Sequence, residues 1–172
     1  REGVLKALPW ISDRNLMKEV YFNHQVYVDR HCMENLPKYG VVTEKSQKYV
    51  LATRKPVDDV MVLLHEHIDE LENINLIFAE QEKRMRYWEE LRQIEELTVV
   101  SSLPHNLEIG GPTTSKATAL KELAAMLGLG HDHIMCFGDS SNDEEMMAAA
   151  QIGVAMGNAV DELKEVADAI TK

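Results

Sequence analysis

The stretch Ile134-Met135-Cys136-Phe137-Gly138-Asp139-Ser140-Ser141-Asn142-Asp143-Glu144-Glu145-Met146-Met147 decides how this chain is read. A short apolar run leads into a tight Gly-Asp turn and then a polar helix start. An apolar run without alternation suits a parallel strand covered on both faces. Ser141 or Asn142 can cap the helix that follows, and acidic residues in its first turn suit the helix dipole. Asp139, Asn142 and Asp143 therefore gather where a strand passes into a helix, the place where open α/β sheets bind ligands. Carboxylates crowded together repel one another unless a cation or an ammonium group sits among them. Oxygen donors alone suit a hard ion such as Mg²⁺ and offer zinc nothing soft. An ordinary capped helix start would carry the same Gly-Asp pair, so the turn by itself does not settle the chemistry.

Two flanking segments sharpen the reading. Thr113-Thr114-Ser115-Lys116-Ala117-Thr118-Ala119-Leu120 opens a helix whose apolar positions Leu120, Leu123, Ala124 and Leu127 follow helical spacing. Lys116 falls in the first turn, where the helix dipole disfavours a cation. A lysine there needs a reason, and a nearby acidic cluster or a phosphate would supply one. Downstream, Ile152-Gly153-Val154-Ala155-Met156-Gly157-Asn158-Ala159 reads as another short strand ending in a glycine turn. The order is helix, strand, helix, strand, helix.

Ser115-Lys116, Gly138-Asp139-Ser140-Ser141-Asn142-Asp143 and Gly153-Val154-Ala155-Met156-Gly157-Asn158-Ala159 together resemble the haloacid dehalogenase superfamily, and within it the Cof-type phosphatases. The likeness is close over roughly 98–172 and looser over 1–97. It implies an α/β fold: the C-terminal part of a doubly wound Rossmann-like core, over 110–172, and an α/β cap domain that selects substrate, over 1–109. It further implies a Mg²⁺-dependent phosphatase of small phosphorylated metabolites such as sugar phosphates. Asp139 would ligate Mg²⁺, and Asn142 would hold the phosphate or the nucleophile loop. Asp143 would orient Lys116 or stand behind the metal. Lys116 would neutralise both the nucleophile and the transferring phosphoryl group. A phosphomutase of the same superfamily would use the same loops, and a non-catalytic binding or regulatory module would keep the fold without the reaction.

Composition narrows the partners. The chain has 172 residues, 45% of them hydrophobic and 27% charged, as a globular protein does. A net charge of −11 argues against a nucleic-acid backbone or an anionic membrane as partner. Cys32 and Cys136 fit a reducing, cytoplasmic compartment, with Cys136 acting as a small hydrophobe in the core strand. No apolar run is long enough to span a bilayer. The start at Arg1 reads as that of a fragment.

Along the first part, Ser12 or Asp13 is expected to cap a short helix through Val20, and Val20–Val28 to form a strand or hairpin. Cys32 to Tyr39, with Pro37 and then Gly40, reads as a turn, and Lys48 to Thr53 as a strand. Pro56 suits the first position of a helix, with Asp58 and Asp59 behind it and Val57, Val60, Met61, Leu64, Ile68 and Leu71 as its apolar face. Asn73–Ala79 reads as a strand and Glu82–Glu96 as a charged helix with Met85, Trp88 and Leu91 on one side. Leu97–Leu103 and Asn106–Ile109 read as strands. The domain boundary is placed near Gly110-Gly111-Pro112.

Other clusters read as surface. His65 and His67, two apart on a helix, point to different sides, and His131-Asp132-His133 falls in a turn. Arg84, Arg86, Tyr87 and Trp88 fit a half-buried helix better than a stacking platform. In the family the cap sets specificity, which leaves His24, Tyr27, Arg54, Arg84 and Arg86 as weak candidates. The resemblance also implies an Asp-x-Asp-Gly-Thr nucleophile loop, and no aspartate among these residues stands in one. The Ser/Thr phosphate-holding motif is absent as well. The 172-residue polypeptide alone is therefore expected to be inactive or nearly so, and an uncovered sheet edge would favour a homodimer.

Overall fold

The computed structural model describes residues 1–172, which divide into two compact units: Arg1–Val99 with Leu103–Pro112, and Val100–Ser102 with Thr113–Lys172. From Arg1 to Pro112 the order is α1 (Glu2–Ile11), β1 (Met17–Phe22), β2 (Gln25–Asp29), α2 (Arg30–Met33), a 3-10 turn (Leu36–Tyr39), α3 (Glu44–Thr53), β3 (Arg54–Val57), α4 (Val60–Glu66), β4 (Leu71–Ile77), α5 (Gln81–Leu91), β5 (Thr98–Val100) and β6 (Asn106–Gly110). The strands form one sheet in the order β3-β2-β1-β4-β6-β5.

The β1–β2 hairpin turns on Asn23 and His24, both in the left-handed region at φ 50° and 56°. Two consecutive positive φ values match the twist of the strands they join, and asparagine is among the few residues with a side chain that tolerate them readily. Register then follows, with Phe22 opposite Gln25 and Val20 opposite Tyr27. One sheet face packs Val20, Phe22, Ile74, Leu76, Leu107 and Ile109 against Val4, Ala7 and Ile11 of α1, Val60 and Leu64 of α4, and Tyr87 and Leu91 of α5. On the other face Met17, Val28 and Ile77 meet Cys32, Leu36, Tyr39, Val41 and Val50. Beside that second cluster the face turns polar. Glu19 is fully buried and accepts from Arg54 (Nε at 2.6 Å, Nη2 at 3.0 Å), from the Tyr21 hydroxyl and from Asn75 Nδ2. A buried carboxylate persists only when it is satisfied in this way.

The second unit runs α6 (Lys116–Leu127), β7 (Met135–Gly138), α7 (Glu144–Ala148), β8 (Ile152–Ala155), α8 (Asp161–Val166) and β9 (Ala169–Ile170), with an all-parallel sheet β7-β8-β9. Its core is Cys136, Met147, Ala150, Ala155, Ala159 and Leu163. The expected helix-strand alternation is present, as is the small, buried Cys136. One feature of β7 differs: Met135 and Phe137 are more than half exposed, because its helices leave that face of the strand uncovered. The apolar stripe of α6 is likewise half bare, with Ala117 and Ala124 buried and Leu123 and Leu127 exposed.

Several local expectations in the first unit are corrected. Lys48–Thr53 is helical, since Thr43 caps α3 by accepting from the Ser46 N–H at 3.1 Å. Only Val50 of that helix is buried, so Tyr49 and Leu51 misled the strand reading by being exposed apolar residues. Pro56 does not open a helix. It lies in edge strand β3, where a missing N–H costs no ladder bond. Asp59 is the true cap of α4, accepting from the N–H groups of Met61 and Val62. No helix runs to Val20, because α1 ends at Ile11 and β1 begins at Met17. Cys32–Tyr39 holds α2's end and a 3-10 turn, closed by Gly40 at φ 94°. A side chain at Gly40 would also press on the Phe78 carbonyl. In α5 the buried side is Arg84, Tyr87 and Leu91, with Met85 outside.

Candidate active site

β7 delivers the chain to Gly138 at the point where the backbone leaves the sheet. A Cβ at Gly138 would lie 2.5 Å from Asp143 Cβ, so only glycine lets the Asp143 side chain fold back against the strand end. Ser140 and Asp143 form a reciprocal cap: the Ser140 side chain accepts from the Asp143 N–H, and the Asp143 carboxylate accepts from the Ser140 N–H. Asp143 Oδ2 takes the N–H groups of Asp139 (2.9 Å) and Ser140 (3.2 Å), and Oδ1 takes Lys116 Nζ at 2.5 Å. Lys116 Nζ also donates to Asn142 Oδ1 at 3.2 Å.

The cation at the start of α6 therefore has its reason. Ser115 caps that helix by accepting from the Thr118 N–H, and Lys116 leans away from the helix axis onto the acidic turn. Burial by itself would raise the Asp143 carboxyl. The Lys116 ammonium and the two backbone N–H groups outweigh it and hold the group below its ordinary value. The side chain of Asp143 is 4% exposed and that of Lys116 is 48% exposed, so one end of the pair is fixed and the other faces solvent. The 156–160 segment closes the far side, Met156 N–H donating to the Gly138 carbonyl and Val160 N–H to that of Asp139.

Lys116, Asn142 and Asp143 thus meet directly, while Asp139 joins them through its backbone. The Asp139 carboxylate is exposed and makes no hydrogen bond or ion pair. That separates the two aspartates chemically. Both oxygens of Asp143 are occupied, leaving Asp139 as the carboxylate of this turn with oxygens free to hold a hard cation. A groove of about 790 Å³ between α6 and α7, lined by Ser115, Lys121, His131 and Glu145 among others, contains none of these four residues. The chemistry gathers at the strand end instead.

Sequence reasoning missed the contributions of Gly138 and Ser140. The signal was available: a serine followed three positions later by an acid is the cap pattern. The weaker candidates disperse. Arg54 belongs to Glu19, Arg84 Nε donates to the Asn106 carbonyl, Tyr27 stacks on Phe22, and His24 sits in the hairpin turn. His65 shares a hydrogen bond with the Met61 carbonyl, whereas His67 stacks on Phe22, so the two do diverge.

Comparison with known proteins matches the profile of the haloacid dehalogenase-like hydrolases across residues 1–172. The chain belongs to this family. It is 44% identical over 91 residues to Phosphatase YwpJ of Bacillus subtilis, covering 53% of this chain and 32% of that protein. It is 31% identical over 183 residues to the Bacillus subtilis 5-amino-6-(5-phospho-D-ribitylamino)uracil phosphatase YwtE, covering 94% of this chain and 63% of the relative. Among solved structures, a haloacid dehalogenase-like hydrolase from Bacillus subtilis superposes with a TM-score of 0.78 at 28% identity, over 99% of this chain and 65% of that one. The chain thus spans less than two thirds of the length of each. No helix is long and apolar enough to cross a membrane.

Proposed function

We propose that the second unit is the phosphate- and metal-gripping half of a Mg²⁺-dependent phosphatase acting on small phosphorylated metabolites, and that residues 1–109 serve as its substrate-selecting cap. The observation that supports this most strongly is the Lys116 ammonium seated on Asn142 and Asp143 across 26 and 27 residues of chain. The two phosphatases from Bacillus subtilis named above share the family, and one is named for a phosphorylated ribityl substrate.

In this reading Asp139 is this chain's ligand for Mg²⁺, which when bound would neutralise charge on the phosphate oxygens. Lys116 places its exposed ammonium against the transferring group. Asn142 offers its amide N–H₂ to a phosphate oxygen while its Oδ1 holds Lys116. Asp143 positions both, since it anchors the lysine and the 139–140 backbone together and keeps a negative partner for Lys116 when no phosphate is present.

The test uses the 172-residue chain. Inorganic phosphate should perturb the NMR signals of Lys116 and Asn142, and Lys116→Ala should abolish the effect. Unchanged phosphate binding in that variant would overturn the assignment. With no Asp-x-Asp-Gly-Thr loop among these residues, the chain should show no aryl-phosphate turnover above background. Removing a nucleophile costs several orders of magnitude in rate. Turnover at the rate of the phosphatases from Bacillus subtilis would refute the need for that loop.

A further inference from the structure

We infer that Asp29, His31 and Cys32, at the junction of β2 and α2, form a three-ligand site for a borderline-soft divalent metal such as Zn²⁺. It lies in the first unit and is independent of the phosphate-gripping residues. The donor atoms of these three side chains all fall within 4.8 Å of one another. Cys32 Sγ stands 3.4 Å from His31 Nε2. A tetrahedral zinc with Zn–S of about 2.3 Å and Zn–N of about 2.0 Å separates sulfur and nitrogen by about 3.5 Å, so this pair is already spaced for a shared ion. One thiolate, one imidazole and one carboxylate make a donor set that zinc accepts and Mg²⁺ does not favour.

The surroundings fit a site rather than a chance cluster. Asp29 is 5% exposed, and its Oδ1 accepts the Val60 N–H at 2.7 Å. That bond fixes the carboxylate as outer partners fix metal ligands elsewhere, and leaves the other oxygen free. Cys32 is fully buried, while His31 is exposed, so the imidazole can swing the short distance that closes the set. Asp29 and His31 line a cavity of about 540 Å³ together with Arg14, Lys18, Asp58, Asp59 and His65, whereas the buried Cys32 does not line it. This gives an entry path and room for a water as the fourth ligand.

Two features oppose the ion. The Lys18 ammonium and the Arg14 guanidinium line the same cavity, although Lys18 is held by the carbonyls of Asp13 at 2.8 Å and Leu16 at 3.1 Å. Burial also keeps the Cys32 thiol protonated above its ordinary value in the metal-free protein. Metal binding must therefore expel that proton: the S–H bond breaks, the S–Zn bond forms, and the proton leaves to solvent with no change of oxidation state. The carboxylate and the new thiolate then balance the two charges of the ion. The competing arrangement is a plain thiol-to-imidazole hydrogen bond in a packed corner.

Cobalt(II) distinguishes them, because thiolate ligation produces a charge-transfer absorption that a hydrogen-bonded thiol lacks. The chelator-treated chain should take up one equivalent of Co²⁺ with that band, and Zn²⁺ should displace it. His31→Ala, at an exposed position that leaves the fold intact, should weaken binding at least tenfold. Cys32→Ser should remove the band and Cys136→Ser should leave it unchanged. Circular dichroism checks the buried Cys32 variant, and if that variant fails to fold the His31 variant decides. No band in excess Co²⁺, a band that survives Cys32→Ser, or undiminished affinity in His31→Ala would each overturn the inference.

Discussion

Asp139 and Asp143, four residues apart in one acidic turn, should respond differently to the same conservative change. In Asp143→Asn the amide has one acceptor oxygen where the carboxylate now serves three donors. If the oxygen faces the 139 and 140 N–H groups, the new N–H₂ meets the Lys116 ammonium. The ion pair is then lost, but Lys116 is half exposed and water takes it up, so this part costs only about 0.5–1 kcal/mol. A donor set against a donor at a buried site adds about 1 kcal/mol. The reverse orientation strands two backbone N–H groups at about 1–3 kcal/mol each and is worse. The expected destabilisation is therefore about 1.5–2 kcal/mol. Asp139→Asn removes no contact and should fall within about 0.5 kcal/mol of the parent. Urea unfolding of the second unit, run with and without Mg²⁺, separates the roles. Mg²⁺ at about 100 times its dissociation constant should stabilise the parent by about 2.7 kcal/mol and should leave Asp139→Asn unmoved. Equal losses for both variants without metal, or a neutral Asp143→Asn, would refute the division of labour.

Other outcomes follow from the same contacts. Gly138→Ala places a methyl group 2.5 Å from Asp143 Cβ, so it should cost about 1–3 kcal/mol and free Lys116, seen as weakened phosphate shifts in NMR. Leu64→Ala, at a 1% exposed position in the main core, should cost about 2–5 kcal/mol by urea denaturation. Asp13 provides an acid limb. Burial opposes its ionisation, yet Lys83, the Asn15 N–H and the Tyr87 hydroxyl draw its carboxyl down from 3.8 to about 2. A depressed folded value means the contribution, about 2 kcal/mol by linkage, is complete above about pH 4 and is lost as pH falls toward 2. Asp13→Asn should flatten the stability profile in that window, and an unchanged profile would remove Asp13 as its cause. Asp143 acts in the same direction, its stabilisation fading as pH falls below the ordinary carboxyl range.

Legibility varied with the range of the interaction. The turn at Gly138-Asp139, the strand before it and the helices around it could be read from residues within a few positions, and so could the need for a counter-charge at Lys116. A strand or hairpin over Val20–Val28 was equally local, although its turn at Asn23–His24 was not placed. Misreadings fell where exposed apolar side chains imitated a strand, at Tyr49 and Leu51, or where a proline that suits a helix start also suits an edge strand, at Pro56. Burial decided the first case and strand pairing the second, and no short window contains either.

What the sequence by itself determined is the chemistry at close range: which residues cap, which carry charge, and that Asp139, Asn142 and Asp143 share one strand-to-helix turn, because φ/ψ preferences and capping act over three or four residues. Only the tertiary structure decided that Lys116 would meet Asn142 as well as the Asp143 that the resemblance implied, and that Asp139 would stay free. It likewise decided that Glu19 would be buried on Arg54, and that the Val60 N–H would anchor Asp29 beside His31 and Cys32. Those outcomes depend on strand order and on which faces pack, and they are set by the burial of side chains far apart along the chain.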